Sequence, residues 1–278
     1  MSKPIYPCIW FNNNAAEAAA FYCETFNNAS ILESNPIVTR FKVGGLIFML
    51  LNGGSKYKTT PAVSYFVYCN GVEEINRLYE TLKDGGSVLM PLDKYDWSAR
   101  YAWVQDRFGV NWQLDVEEIN NAQKIVPNLL FVNEKMGMVK EAREYYMGSF
   151  PNSMYLMEMA HPPGSGLPDG ALLFTQFKLN GCIMNAMSST MHHDYDFTPG
   201  NSFVIECDEQ QEIDYFWERL GAGGRYDMCG WLADRYGVSW QVVPSVLAKL
   251  MSDPEKGPRV IQAFLKMQKF DIQALLDA

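Results

Sequence analysis

Few residues in this chain of 278 are placed to do chemistry. They are three histidines (His161, His192 and His193), a carboxylate in an apolar stretch (Glu206), and two glutamines, Gln113 and Gln241, each following a tryptophan in a recurring octet. Glu206 shares strand parity with Ser202 and Val204. Enclosed by apolar side chains, such a carboxylate can serve as a general base near neutral pH; at a strand end it reads instead as a solvated or paired Glu. Gln113 and Gln241 alternate with Trp112 and Trp240, so amides and indoles face opposite ways. A buried amide needs hydrogen-bond partners, which either a ligand or a local network supplies. Neighbouring residues of a strand cannot both face one metal, so His192-His193 reads as exposed loop or as a ligand contact. Trp10, Trp97, Trp103 and Trp231 supply aromatic surface, for a core or for the wall of a site taking a flat, apolar ligand.

The elements that must position these residues come twice. Asp106-Arg107-Phe108-Gly109-Val110-Asn111-Trp112-Gln113 returns 128 positions on, from 106 to 234, as Asp234-Arg235-Tyr236-Gly237-Val238-Ser239-Trp240-Gln241. Phe41–Gly45 answers to Phe177–Gly181, Gly85-Gly86 to Gly223-Gly224, and Phe21-Tyr22 to Tyr145-Tyr146. Such self-similarity marks an internal duplication. Each copy opens with a strand and a helix, the first capped by Asn12–Asn14. A hairpin follows, turned at Gly44-Gly45 in the first copy. Then come a strand, a helix closed by paired glycines, and two more strands. The reading is α+β: two tandem domains over residues 1–120 and 121–246, joined near 120–124, with a helical tail over 247–278. Asp253-Pro254-Glu255 reads as the start of one tail helix and Asp271 as the cap of another.

Composition bounds the function. A net charge of −9 with no basic cluster argues against nucleic acid. The longest clean apolar run, Leu46–Leu51, is far short of the roughly 20 residues that cross a bilayer, and Met1–Pro4 lacks the apolar segment of a secretory signal. Six scattered cysteines without a C-x-x-C pair read as reduced thiols of a cytoplasmic protein.

Three stretches carry a resemblance: Pro127–Phe131, Cys229–Pro244 and Lys266–Leu275, with Pro7–Phe11, Ala15–Tyr22 and Leu51–Gly54 in the first copy. They resemble the PhnB-like branch of the glyoxalase/bleomycin-resistance (vicinal oxygen chelate) superfamily, whose domain is labelled 3-demethylubiquinone-9 3-methyltransferase. The resemblance implies glyoxalase-like domains of paired βαβββ modules, their sheets curled round a cavity that in the enzymes holds a divalent metal. It also implies that the loop carrying His192 and His193 approaches the cavity mouth.

Carried over strand by strand, the metal positions fall on Pro7 and Pro127, on Phe48 or Met49 and Met184 or Asn185, on Ser64 and Ser202, and on Gln113 and Gln241. None is a histidine or carboxylate, the ligands that suit such a cation. No metal and no cofactor is therefore expected. Methyl transfer is not expected either, because Gly164-Ser165-Gly166 has Asp169 where the third glycine of a G-x-G-x-x-G turn belongs, and no parallel βαβ pattern frames it. The leading expectation is a protein that holds a small organic ligand without transforming it, through Gln113, Gln241, Ser64, Ser202, Asn185, His192, His193 and Trp231, its two domains paired within the chain or through a homodimer. The alternatives are a metal-dependent lyase, isomerase or dioxygenase using Gln241, Glu206 and a loop histidine, and an interaction module using the C-terminal helices.

Overall fold

The computed structural model describes residues 3–117, 119 and 121–278. Asn120, where the first repeat is expected to end, and the Met1-Ser2 start lie outside the described residues.

Four modules follow one another, each a strand, a helix and three strands. The first holds β1 (Tyr6–Phe11), α1 (Ala15–Thr25), β2 (Ser30–Ser34), β3 (Val38–Val43) and β4 (Leu46–Asn52). The second holds β5 (Val63–Tyr68), α2 (Val72–Lys83), β6 (Ser87–Tyr95), β7 (Ser98–Gln105) and β8 (Asn111–Asp115). The third holds β9 (Ile125–Phe131), α3 (Val139–Ser149), β10 (Ser153–Ala160), β11 (Leu172–Leu179) and β12 (Cys182–Ser188). The fourth holds β13 (Asn201–Cys207), α4 (Gln210–Gly221), β14 (Arg225–Tyr226), β15 (Trp231–Ala233) and β16 (Ser239–Pro244). The outer strands β2, β6, β10 and β14 are those the sequence pattern did not separate. They lie at sheet edges and are mostly exposed, so they carry no clean apolar alternation.

The modules pair between the repeats. One curled sheet of eight strands runs β14-β15-β16-β13-β1-β4-β3-β2, and the other runs β10-β11-β12-β9-β5-β8-β7-β6. The first module thus joins the fourth through antiparallel β1·β13, and the second joins the third through β5·β9. The α+β class with paired, curled modules stands as expected; what the sequence pattern did not give is that each module's partner belongs to the other repeat.

The helices supply apolar stripes to one continuous core: Ala18, Ala19 and Tyr22 from α1, Ile75, Leu78 and Leu82 from α2, and Ile213, Phe216 and Leu220 from α4. Trp112 and Trp240 are fully buried there, facing the helices as their parity requires. Helix α1 is capped by a residue other than the asparagine run: the Ala15 N–H donates to Asn52 Oδ1 at 2.9 Å, and Asn14 makes no side-chain cap. In the tail, α5 (Leu247–Met251), α6 (Gly257–Phe264) and α7 (Ile272–Leu276) pack Val260, Phe270 and Leu275 into the same core. Asp271 caps α7, as expected, by accepting from the Ala274 N–H. Asp253 closes a turn instead, accepting from Glu255 and Lys256, and α6 begins just beyond it.

The repeated glycine pairs have two separate causes. Gly85 and Gly223, at φ +70° and +80°, take the left-handed backbone just past α2 and α4. Gly86 and Gly224 lie against the facing strand, where an added Cβ would stand 2.1 Å from the Gln105 carbonyl oxygen and 2.0 Å from that of Ala233. Backbone cannot swing aside as a side chain can. Gly86→Ala is therefore expected to cost about 2–3 kcal/mol by urea denaturation, and Gly85→Ala about 1 kcal/mol.

Candidate functional site

On each sheet the side chains pointing away from the helices form a row across six neighbouring strands. In the first sheet Trp231 faces Gln241, Gln241 lies beside Val204, Cys8 beside Ser202 and Met49, and Met49 beside Arg40. In the second, Trp103 faces Gln113, Gln113 lies beside Phe66, Asn128 beside Ser64 and Asn185, and Asn185 beside Gln176. The rows correspond position for position.

This register corrects the opening-strand positions. Pro7 shares parity with Ile9 and Phe11, and Pro127 with Ile125 and Leu129, all of which belong to the helix-side core. The inward residues are the next ones, Cys8 and Asn128. Phe48 and Met184 likewise face the helices, leaving Met49 and Asn185 on the concave side. Ser64, Ser202, Gln113 and Gln241 also face the concave side.

Both glutamines are held. Gln241 Nε2 donates to Ser202 Oγ at 2.9 Å, and Gln113 Nε2 to Ser64 Oγ at 2.7 Å. Tyr101 Oη donates to Gln113 Oε1, and Asn128 Nδ2 reaches the same Ser64 Oγ at 3.3 Å. Gln176 Nε2 donates to Asn185 Oδ1 at 2.9 Å.

The rows do not fit the divalent metal that the superfamily resemblance implies. At the four ligand positions one offers a thiol, a thioether, a hydroxyl and an amide (Cys8, Met49, Ser202 and Gln241), and the other a hydroxyl and three amides (Ser64, Gln113, Asn128 and Asn185). Burial pushes the Cys8 thiol up to about 12, so it stays protonated at neutral pH and is no thiolate ligand. Neither set includes the carboxylate or imidazole that a hard or borderline cation takes. Among the described residues no three His, Cys, Asp or Glu side chains gather closely enough to hold an ion.

Glu206 lies on the concave side of the first sheet, but not in an apolar enclosure. Tyr6 Oη donates to its Oε1 at 2.6 Å, and an Arg40 guanidinium nitrogen lies 3.9 Å from the same oxygen. It is a paired carboxylate near a strand end. Trp231 stands in the first row, partly exposed and edge-on to Trp10 at 5.9 Å. The histidines separate. His192 is exposed beside Asp194, whereas His193 contacts Ser189 at 2.8 Å and its ring lies 4.8 Å from that of Tyr195, which packs on the second concave face. His161 pairs with Ser188. Burial lowers both His161 and His193 below the usual imidazole range, which favours the neutral rings. Trp103, one of the four tryptophans offered for a core or a site wall, stands in the second row; Asn128, Tyr101 and Gln176 were missed, although a lone amide in the otherwise apolar Ile125–Phe131 strand is itself a signal.

The repeated octet owes its pattern to folding. Asp106 Oδ1 accepts from the Phe108 and Val110 N–H groups, and its Oδ2 accepts from Trp112 Nε1 and Tyr22 Oη. Asp234 repeats this with Tyr236, Val238, Trp240 and Tyr146. Two surface recesses, of about 660 and 630 Å³, lie beside α2 and include no residue of either row.

A family profile described as 3-demethylubiquinone-9 3-methyltransferase matches residues 3–115 and again 123–243. A Bacillus cereus structure described as a putative 3-demethylubiquinone-9 3-methyltransferase, PhnB protein, is 29% identical over 42% of this chain and 98% of its own, with a TM-score of 0.37. Glyoxalase I from Zea mays, 9% identical, covers 87% of this chain and 92% of its own at a TM-score of 0.59. A putative dioxygenase from Bacillus subtilis, also 9% identical, covers 87% of this chain and 85% of its own at 0.52. The last two share the fold. No curated protein matches the chain at a significant level. With both copies matched over nearly their whole length, the chain belongs to the 3-demethylubiquinone-9 3-methyltransferase family, as a tandem duplicate on a glyoxalase-like fold.

Proposed function

We propose that the chain is a small-molecule-binding protein whose concave faces take an organic ligand without a metal. The observation that carries this reading is the pair of matched rows: inward hydrogen-bonding groups, all neutral save Arg40 at one end, flanked by aromatic side chains. Apolar walls with a few convergent polar groups are the usual build of a ligand site. The same rows count against the metal-dependent lyase, isomerase or dioxygenase reading, which needs anionic or imidazole ligands, and Glu206 is already engaged by Tyr6 and Arg40. Among the described residues no helix is long and apolar enough to cross a membrane.

Thermal-shift measurement on chelator-treated full-length chain tests the proposal. Ligand at a hundred times its Kd adds about 2.7 kcal/mol of stability, several degrees of Tm. Saturable shifts are expected with apolar, ring-bearing organic molecules, and shifts below about 1 °C with Mg²⁺, Mn²⁺, Ni²⁺ or Zn²⁺. A metal-dependent shift abolished by Gln241→Ala would carry the enzyme reading instead.

A further inference from the structure

The two concave faces differ in what they leave unpaired and in what covers them. Trp103 Nε1, Asn128 Oδ1 and Asn185 Nδ2 are buried without a hydrogen-bond partner in the second row, whereas the first row contributes only Arg40 Nε. Buried polar atoms are nearly always paired, because an unmade bond leaves the cost of desolvation uncompensated. These three sit along one run of cross-strand neighbours, Trp103–Gln113 and Asn128–Asn185, with Ser64 between them.

Over this face folds the β6–β7 ribbon, extended by the Pro91–Arg100 residues that the other repeat lacks. Its tip carries Tyr95 and Trp97, stacked at 5.0 Å, and both meet Tyr101 edge-on at 5.6 and 5.7 Å. Tyr95 and Tyr195 pack on the concave cluster, while Trp97 is 60% exposed. The counterpart β14–β15 is only two and three residues long, and Trp231 there is partly exposed where Trp103 is 8% exposed.

We propose that the second face is a pocket gated by the Tyr95–Trp97 tip, and that its ligand is uncharged, with a carbonyl oxygen beside an N–H or O–H. This rests on the binding reading above and narrows it. The indole and amide N–H groups require an acceptor, and Asn128 Oδ1 requires a donor. A carboxylate would meet the two donors but bring a charge where the row holds no cation, since Gln176 stands at the place of Arg40, and an unpaired buried charge is costly. Phe66, Tyr68 and Tyr101 offer flat apolar walls to the rest of the molecule.

Calorimetric titration of the full-length chain with 2-pyridone, a ring carbonyl beside an N–H, and with benzoate, a planar carboxylate of similar size, tests this. Saturable binding of one 2-pyridone is expected, with benzoate at least tenfold weaker. Asn128→Leu should weaken 2-pyridone at least tenfold and raise the Tm of the free chain, because an unpaired acceptor has gone. Trp97→Ala, at an exposed tip, should fold normally and release the probe faster. Benzoate binding as tightly as 2-pyridone would overturn the ligand class while the binding reading stood. Unchanged 2-pyridone affinity in Asn128→Leu would overturn the assignment to this row alone. No binding of either probe, with a lower Tm for Asn128→Leu, would make the row structural and remove both readings.

Discussion

Asp234→Ala should lower stability by about 3–5 kcal/mol and the Tm by roughly 10 °C. Its carboxylate is the sole named acceptor for two side-chain donors, Trp240 Nε1 and Tyr146 Oη, and it also closes the turn through the Tyr236 and Val238 N–H groups. All four donors would be left facing a small void. Asp234→Asn keeps one carbonyl but turns an NH₂ toward donors, so it should recover less than half the loss. Asp106→Ala should match Asp234→Ala, because its four partners are equivalent.

The pH dependence has a definite sign. Burial raises the Asp234 carboxyl to about 6, above the value of roughly 3.9 in an unfolded chain. The folded state therefore holds this proton more tightly. The stability linked to it is complete below pH about 4 and is lost as pH rises through about 6. The alanine variant lacks that slope, so its deficit relative to wild type should be larger at pH 4.5 than at pH 7. Urea denaturation at the two pH values measures this, and a cost below about 1 kcal/mol at both would sink the assignment.

The second large effect follows from the pairing of modules. The first repeat alone, residues 1–117, should exist in solution as a dimer with no folded monomer. Its β1 and β5 both find their antiparallel neighbours, β13 and β9, in the other repeat. Cut free, each would expose a buried edge with unpaired backbone groups. Two copies repair this at once. The junctions are equivalent, Cys8 opposite Ser202 in one sheet and Asn128 opposite Ser64 in the other, so β1 of one copy can take β5 of a second, twice over. Sedimentation at several concentrations should give twice the chain mass and a Tm that rises with concentration. A folded monomer would refute it.

Much of this was readable from the sequence, for physical reasons. The octet betrayed the duplication because a buried carboxylate with four donors tolerates little change around it. Alternation of Trp112 with Gln113 fixed which side of β8 faces inward, since strand geometry allows only two choices. The opening strands failed at the same step. In Tyr6–Phe11 both parities are apolar or aromatic, so alternation could not show whether Pro7 or Cys8 turns inward, and a one-residue shift flips the face. Glu206 was placed on the correct side, but its engagement by Tyr6 and Arg40 joins residues about 200 and 166 positions away in sequence, a contact that no local pattern announces. Which module meets which was equally hidden, because equivalent edges are interchangeable as far as sequence shows.

The exchange of modules has a consequence for how the two faces could diverge. In a homodimer of identical single-copy chains, symmetry makes both rows the same, and any substitution strikes both at once. Linking the copies covalently removes that constraint, so one row can drift while the other is preserved. Cys8, Met49 and Arg40 in one row, at the places that Asn128, Asn185 and Gln176 hold in the other, are differences that only this freedom allows.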